Sequence, residues 1–368
     1  MPRCWLVSSG TAALIVALKA LRALEPRRAE VVIPAYCCPN VLAAVVLAGA
    51  APVLCDIGAQ GAGYDERQLE RLVGPQTLAV VVVHLLGVAS ETDAVIRLAR
   101  SHGAYVVEDA AQAFGNEIVV NRAGAEGRRR RLGTLADVGV FSFGRGKPLT
   151  LGAGGALVTA SAEVARAVEA QVAGLAVADS RKDTARALLY GAFFNPALYW
   201  LPRSLPFLHL GETHFSLTVR LARMSGFCAA LGARLLPHYH SALEARRAQG
   251  ERLMSRLADG QAAWPLARLG EGQAYLRLPL RVEAGRRRAL LARLGRLGAT
   301  GMYPLPLSRQ PGAALYLGRQ AADIYPNAER LSQELLTLPL HGLLTEADLR
   351  ALEEALHGTT PAPVAEPV

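Results

Sequence analysis

Leu78-Ala79-Val80-Val81-Val82-Val83-His84-Leu85-Leu86, a helical period over 91–102, and Tyr105-Val106-Val107-Glu108 together form the stretch that decides the fold. The first run is apolar without alternation and rich in Val, the pattern of a strand buried on both faces. Working outward, similar runs at 30–33, 52–57, 138–143 and 156–159 predict further strands. Between them, 11–24, 41–48 and 65–73 space their apolar residues as helices do. Repeated strand–helix alternation predicts an α/β fold, a doubly wound and mostly parallel sheet with helices on both faces. Ligands on such sheets bind at the carboxyl ends of the strands.

The pattern changes after 160. Residues 161–177 read as a helix, and 185–210 are apolar and aromatic, broken by Asn195-Pro196, Pro202 and Pro206. The longest clean run there, 188–194, is far too short to span a bilayer. Two readings of this insert stay open: a buried helix pair or subunit interface, and a membrane-surface patch supported by Arg181, Lys182, Arg186 and Arg203. A helical stretch over 218–257 follows, then strands at 275–280, 300–303 and 336–340 and helices at 283–297, 328–334 and 345–357. The expected organisation is a large α/β domain over 1–215, a smaller α+β domain over 216–357, and a Pro-rich, disordered tail over 358–368.

Composition narrows the classes. With 368 residues, 51% hydrophobic and 19% charged, the chain is too apolar for disorder and long enough to bury a core without staples. Five Cys with no CxxC pair argue against a disulfide scaffold or a structural zinc site, so no metal is expected. No run reaches the ~18 apolar residues of a spanning helix, and the start lacks a signal-peptide pattern, which predicts a cytoplasmic protein. The net charge is +9, yet of 40 basic residues only Lys19, Lys147 and Lys182 are Lys. In a chain that uses Arg for generic positive charge, a retained Lys is a candidate for amine chemistry, because Arg forms no imine.

Three local patterns carry chemistry. Ser8-Ser9-Gly10-Thr11 opens the first helix, where backbone N–H groups and the helix dipole make an anion site; an ordinary N-cap is the plainer alternative. Val107-Glu108-Asp109-Ala110-Ala111-Gln112 ends a buried strand with two carboxylates, one of which can keep a ring nitrogen protonated or simply cap a helix. Phe141-Ser142-Phe143-Gly144-Arg145-Gly146-Lys147 follows a later strand across a Gly-rich turn, with Gly152-Ala153-Gly154-Gly155 next. A phosphate cradle, a buried Asp at a strand end and an isolated Lys are the constellation that pyridoxal phosphate requires.

With these residues in place, the chain resembles the DegT group of nucleotide-sugar aminotransferases, fold-type I pyridoxal-phosphate enzymes. The resemblance runs in order through Ser9-Gly10-Thr11-Ala12-Ala13-Leu14, Ile33-Pro34-Ala35-Tyr36, the 107–113 segment, Phe141-Ser142-Phe143 with Lys147, and Leu331 to His341. It covers about residues 5–357. The resemblance implies Lys147 as Schiff-base lysine and proton shuttle, Asp109 as partner of the pyridine nitrogen, and Gln112 as partner of the ring hydroxyl. It implies Gly10, Thr11 and Ser142 as phosphate ligands. It also implies pyridoxal 5'-phosphate as cofactor, an amino donor such as glutamate, a nucleotide-linked keto sugar as acceptor, a homodimer and no nucleic-acid partner. Some relatives carry His in place of the lysine and deoxygenate instead, so Lys147 points to transamination.

Several positions depart from the family pattern. Relatives usually begin a few tens of residues earlier. Cys38 stands where they place an aromatic ring against the cofactor, with Tyr36 nearby. Leu221 replaces an Asn that reaches the partner subunit's phosphate, Ala153 replaces an acidic residue, and Ser308 replaces a His after Tyr303-Pro304-Leu305-Pro306-Leu307. These departures keep open a degenerate, non-catalytic partner subunit, and a sugar dehydratase is the alternative chemistry. Residues 121–133, with Arg128-Arg129-Arg130-Arg131, read as a basic loop, either solvated or clamping an anion. Cys37-Cys38, His84 and His341 read as structural residues.

Overall fold

The computed structural model describes residues 2–59, 61, 63–122, 125–193, 214–257, 263–266, 269–270, 272–342 and 344–357. Its strands are β1 (Arg3–Val7), β2 (Glu30–Pro34), β3 (Ala51–Cys55), β4 (Thr77–Val83), β5 (Tyr105–Asp109), β6 (Glu117–Arg122), β7 (Ala125–Arg131), β8 (Val138–Ser142), β9 (Gly155–Thr159), β10 (Ala263–Pro265), β11 (Leu278–Val282) and β12 (Leu335–Leu338). Among the described residues the main sheet has seven strands in the order β1-β9-β8-β5-β4-β2-β3. Strands β3, β2, β4, β5 and β8 run parallel, and β9 opposes both β8 and β1. The sheet is therefore mostly parallel, as the unbroken Val runs predict. Every residue of β4 is buried, which is what a central strand covered on both faces demands.

The helices on this sheet are α1 (Gly10–Leu24), α2 (Pro39–Leu47), α3 (Glu66–Leu72), α4 (Thr92–Ser101) and α5 (Ala162–Ala173). Helix α1 is held at its start by Ser9, whose hydroxyl accepts from the Ala12 N–H at 3.0 Å, and it buries nine residues against the sheet. Then come α6 (Ser180–Phe193) and the long α7 (Gly226–Leu257). A three-stranded sheet, β10-β11-β12, carries α8 (Ala284–Leu294), α9 (Pro326–Glu334) and α10 (Glu346–His357) and has its own apolar core around Leu278, Leu280, Leu336 and Leu352.

The two sheets are joined by buried polar contacts. Asp56, just after β3, accepts from the N–H groups of Asn327 (3.0 Å) and Ala328 (2.9 Å) and so caps α9. Asn116 bridges Gly87 and Ala274 with its side chain, at 2.9 Å to each carbonyl. Gly87 must be glycine: its φ is +89°, and a Cβ would stand 2.4 Å from the Ala274 carbonyl oxygen.

The structure corrects four expectations. The basic segment 121–133 lies mostly within the hairpin β6–β7, where Glu117 faces Arg131 and forms an exposed ion pair at 3.2 Å. The helix expected from 218 begins at Gly226, because 222–224 runs along the free edge of β1: Ser8 N–H donates to Ala222 O (2.8 Å) and Met224 N–H to Leu6 O (3.1 Å). β1 itself was not predicted, since it is a mostly exposed edge strand with a polar start. At 300–303 only Thr300 bridges β12, because Tyr303 turns to φ +50° and leaves the extended region. The 194–210 part of the apolar insert and the 358–368 tail lie outside the described residues.

Candidate active site

Parallel strands deliver their carboxyl ends to one cleft. β4 ends beside His84, β5 ends at Asp109 and β8 ends at Ser142, and the start of α1 faces them. The cleft is lined by Gly10, Thr11, Asp109, Gln112, Ser142 and Lys147, the six residues expected to form the site. Of the three lysines, only Lys147 lines it.

The phosphate-type corner depends on a close approach. A Cβ at Gly10 would meet the Ser142 Cβ at 2.6 Å, so glycine is what lets the helix start and the β8 end meet. Ser9 takes the Ala12 N–H, while Gly10, Thr11 and Ser142 face the cleft. A helix start with free N–H groups and a hydroxyl opposite is a cradle for a small anion.

Asp109 is held by the Ala111 N–H at 3.0 Å. Burial raises its pKa, while that N–H and the charges of Lys147 and His84 pull it back. An added cation beside this carboxylate would relieve its desolvation, which is the service a protonated ring nitrogen performs. No hydrogen bond or ion pair is formed by the Lys147 ammonium among the described residues, which leaves its amine open to the cleft.

Glu108 faces away from that chemistry. With His84 it forms a fully buried pair, Nε2 to Oε1 at 3.0 Å. Ser90 N–H donates to His84 Nδ1 at 3.2 Å, so His84 is the tautomer whose Nε2–H donates to Glu108. Burial raises the Glu108 pKa, but His84 and the N–H groups of Gly133 and Ala136 outweigh it, and the carboxyl sits below its ordinary value. The structural reading of His84 holds, with one addition: its ring also lines the cleft floor.

Gln112 is occupied at both ends of its amide. Its Oε1 accepts from Leu86 N–H at 2.6 Å, and its Nε2 donates to the Tyr303 hydroxyl at 3.0 Å. Leu86 (φ 57°) and Tyr303 (φ 50°) are the two non-glycine residues with positive φ among those described. One side chain thus clamps both strained residues at the cleft, where strained backbone tends to collect. The expectation for Gln112, a partner of a cofactor hydroxyl, now shares that side chain with a structural duty.

Tyr303 and Asn40, which line the cleft, are the residues that the sequence reading missed. Tyr303 enters from the 302–308 segment, which docks through Leu307 N–H on Ala35 O at 2.8 Å. Its signal was its place in the Tyr303-Pro304-Leu305-Pro306 motif. Cys38 lines the cleft as well; burial raises its thiol pKa against the pull of Lys147. Tyr36 does not take the missing aromatic place. It is buried below, its hydroxyl donating to Met302 O at 2.6 Å, with its ring edge-on to Tyr303. Leu221 packs on the main core, Ala153 on the cluster of Phe141 and Phe143, and the buried Ser308 hydroxyl finds no partner among the described residues. His341 lies outside the cleft lining. Among the described residues no group of three His, Cys, Asp or Glu is placed to hold a metal ion. No helix among them is long and apolar enough to cross a membrane.

Sheet order and site define the architecture of the fold-type I pyridoxal-phosphate aminotransferases. The chain belongs to the DegT/DnrJ/EryC1/StrS aminotransferase family, whose family model matches residues 2–357. It is 39% identical over 166 residues to the L-glutamine:2-deoxy-scyllo-inosose aminotransferase of Streptoalloteichus tenebrarius, a match spanning 45% of this chain and 37% of that relative's length. The chain thus covers well under half of this relative. It is 28% identical to the GDP-perosamine synthase of Caulobacter vibrioides over 95% of this chain and 83% of that protein. The aminotransferase TlmJ of Streptoalloteichus hindustanus superposes with a TM-score of 0.72 at 25% identity, covering 96% of this chain and 84% of that one.

Proposed function

We propose that this protein is a pyridoxal-phosphate-dependent aminotransferase that moves an amino group, with glutamate as donor, onto a nucleotide-linked keto sugar. The observation that carries the reading is the convergence of Lys147, Asp109 and the α1–Ser142 anion cradle on one cleft. The residues present fit the cofactor: the cradle suits a phosphate, and Asp109 is a buried carboxylate in need of a cation. Bound there, pyridoxal phosphate supplies an aldehyde that captures amines and a ring that accepts electron density.

The chain's own residues do the rest. Gly10, Thr11 and Ser142 would hold the phosphate. Asp109 stays ionised once a positive partner faces it and keeps that partner protonated. Lys147 carries its amine on a flexible stem and would hold the cofactor through Nζ; once free, the same Nζ would take and return a proton at the substrate carbon. Gln112 and Tyr303, joined by their hydrogen bond, line the same cleft.

The GDP-perosamine synthase likeness supports the nucleotide-linked acceptor, because it spans nearly the whole chain. The inosose aminotransferase likeness favours a second reading, a glutamine donor and a carbocyclic ketone, over 45% of the chain. The homodimer implied by the family belongs to the same proposal.

The test is an absorbance titration of the purified chain with pyridoxal phosphate, before and after glutamate or glutamine. A visible band that an amino donor bleaches, and that Lys147→Ala lacks, is the expected result. A band surviving in Lys147→Ala would remove the lysine from its role. A band untouched by any donor would remove transamination, and no band at all would leave the non-catalytic partner subunit.

A further inference from the structure

Helix α6 stands apart from the cleft and plays no part in the proposed reaction. Apart from Gly191, which has no side chain, its exposed residues among those whose burial is described are Arg181, Lys182, Ala185, Arg186, Leu188 and Leu189. At 3.6 residues per turn they occupy a single arc of roughly 160°. Asp183, Thr184 and Ala187 make up the less exposed side. Asp183 is turned toward α7, with its Oδ2 3.7 Å from the Cys228 Sγ. Arg186 reaches back to pair with Asp183 Oδ1 at 3.6 Å, so the outer arc carries two leucines, Arg181, Lys182 and a half-exposed, ion-paired Arg186.

The leucines are well exposed, Leu188 at 71% and Leu189 at 56%. α7 starts against the start of α6, where Phe227 N–H donates to the Ser180 hydroxyl at 3.3 Å. Leu235 and Leu236 of α7 are exposed too, beside Arg234. In sequence, 184–211 contains no Asp or Glu, holds Arg186 and Arg203, and includes Tyr199 and Trp200. Cations flanking apolar side chains on one helical arc match an anionic lipid surface.

We infer that α6 is a docking face for the surface of an anionic bilayer. The cations meet the headgroups, and Leu188 and Leu189 enter the interfacial layer. Each cation raises partitioning roughly fivefold at low salt, so Arg181 and Lys182, which stand outside the Asp183 pair, contribute roughly twentyfold. The leucine pair adds at least a further tenfold, by the usual worth of apolar burial, about 1.5–3 kcal/mol per Leu.

The test is flotation of the full chain with phosphatidylglycerol–phosphatidylcholine vesicles and with pure phosphatidylcholine vesicles, at low and high salt. The expected result is flotation with the anionic vesicles only, falling as salt rises. Two variants separate the terms: Arg181→Gln with Lys182→Gln and Arg186→Gln, and Leu188→Gln with Leu189→Gln. Each should cut flotation at least tenfold while its thermal midpoint stays at the wild-type value. Absence of flotation with anionic vesicles overturns the inference, as does flotation that both variants retain. Variants that turn a dimer into a monomer without changing flotation would assign the face to a second copy and overturn it equally.

Discussion

Gln112 gives the sharpest test of how the cleft is held. Replacing it with Met keeps the length of the side chain and removes both hydrogen bonds. The Leu86 N–H then lies buried without its acceptor, a loss of about 1–3 kcal/mol, and the Tyr303 hydroxyl loses a donor worth about 1 kcal/mol. Relaxation of two left-handed residues returns part of this, since each stores about 1–2 kcal/mol. The net expectation is a loss of about 2 kcal/mol, read as a shift in the urea midpoint of the cofactor-free chain. Tyr303→Phe removes only the second bond and should lose about 1 kcal/mol. The double variant should fall short of the sum by about 1 kcal/mol, because both changes delete the same bond. A Gln112→Met variant within about 0.5 kcal/mol of wild type, or a coupling near zero, would refute the clamp.

Three further outcomes are expected. Gly10→Ala places a methyl 2.6 Å from the Ser142 Cβ and should weaken pyridoxal-phosphate binding tenfold or more (roughly the 1–3 kcal/mol of overpacking), measured by titration of the visible band. Asp109→Asn should leave the cofactor-free protein at least as stable at neutral pH and cut turnover about a hundredfold or more, measured by a thermal scan beside an amino-transfer assay. The sign follows from the raised pKa: the folded state holds the proton more readily, so ionised Asp109 costs stability above that pKa. Glu108 works the other way. Its lowered folded pKa contributes stability that is present above its ordinary value of 4.5 and lost as pH falls through the folded value. Glu108→Ala should cost about 3–5 kcal/mol at neutral pH and flatten the acid limb of a stability–pH curve; an unchanged acid limb would count against the His84–Glu108 pair.

Much of this molecule is legible in its sequence, for local reasons. The run through Val80–Val83 specifies a strand covered on both faces because no polar residue alternates within it. Lys147 stands out because an Arg-rich chain has almost no other lysine, and Asp109 stands out because a carboxylate ends a buried strand. Ser9-Gly10-Thr11 shows its cap in its residue types. The hairpin β6–β7 is hidden because Arg128–Arg131 fill successive positions of β7, so no apolar period marks the strand that pairs with Ile118–Val120.

What the sequence by itself determined is the parallel sheet and the residue types at the ends of its strands, since both follow from short-range patterning and burial. Tertiary structure alone decided which of those residues meet. The Gln112 amide reaches Leu86 and Tyr303, 26 and 191 positions away in the chain, and neither left-handed backbone angle is written in a side chain that normally avoids it. Tyr303, and not Tyr36, stands beside Cys38 because the 302–308 segment docks on Ala35. Such contacts between distant segments depend on the closed fold, where packing can hold a strained residue that local preference would release.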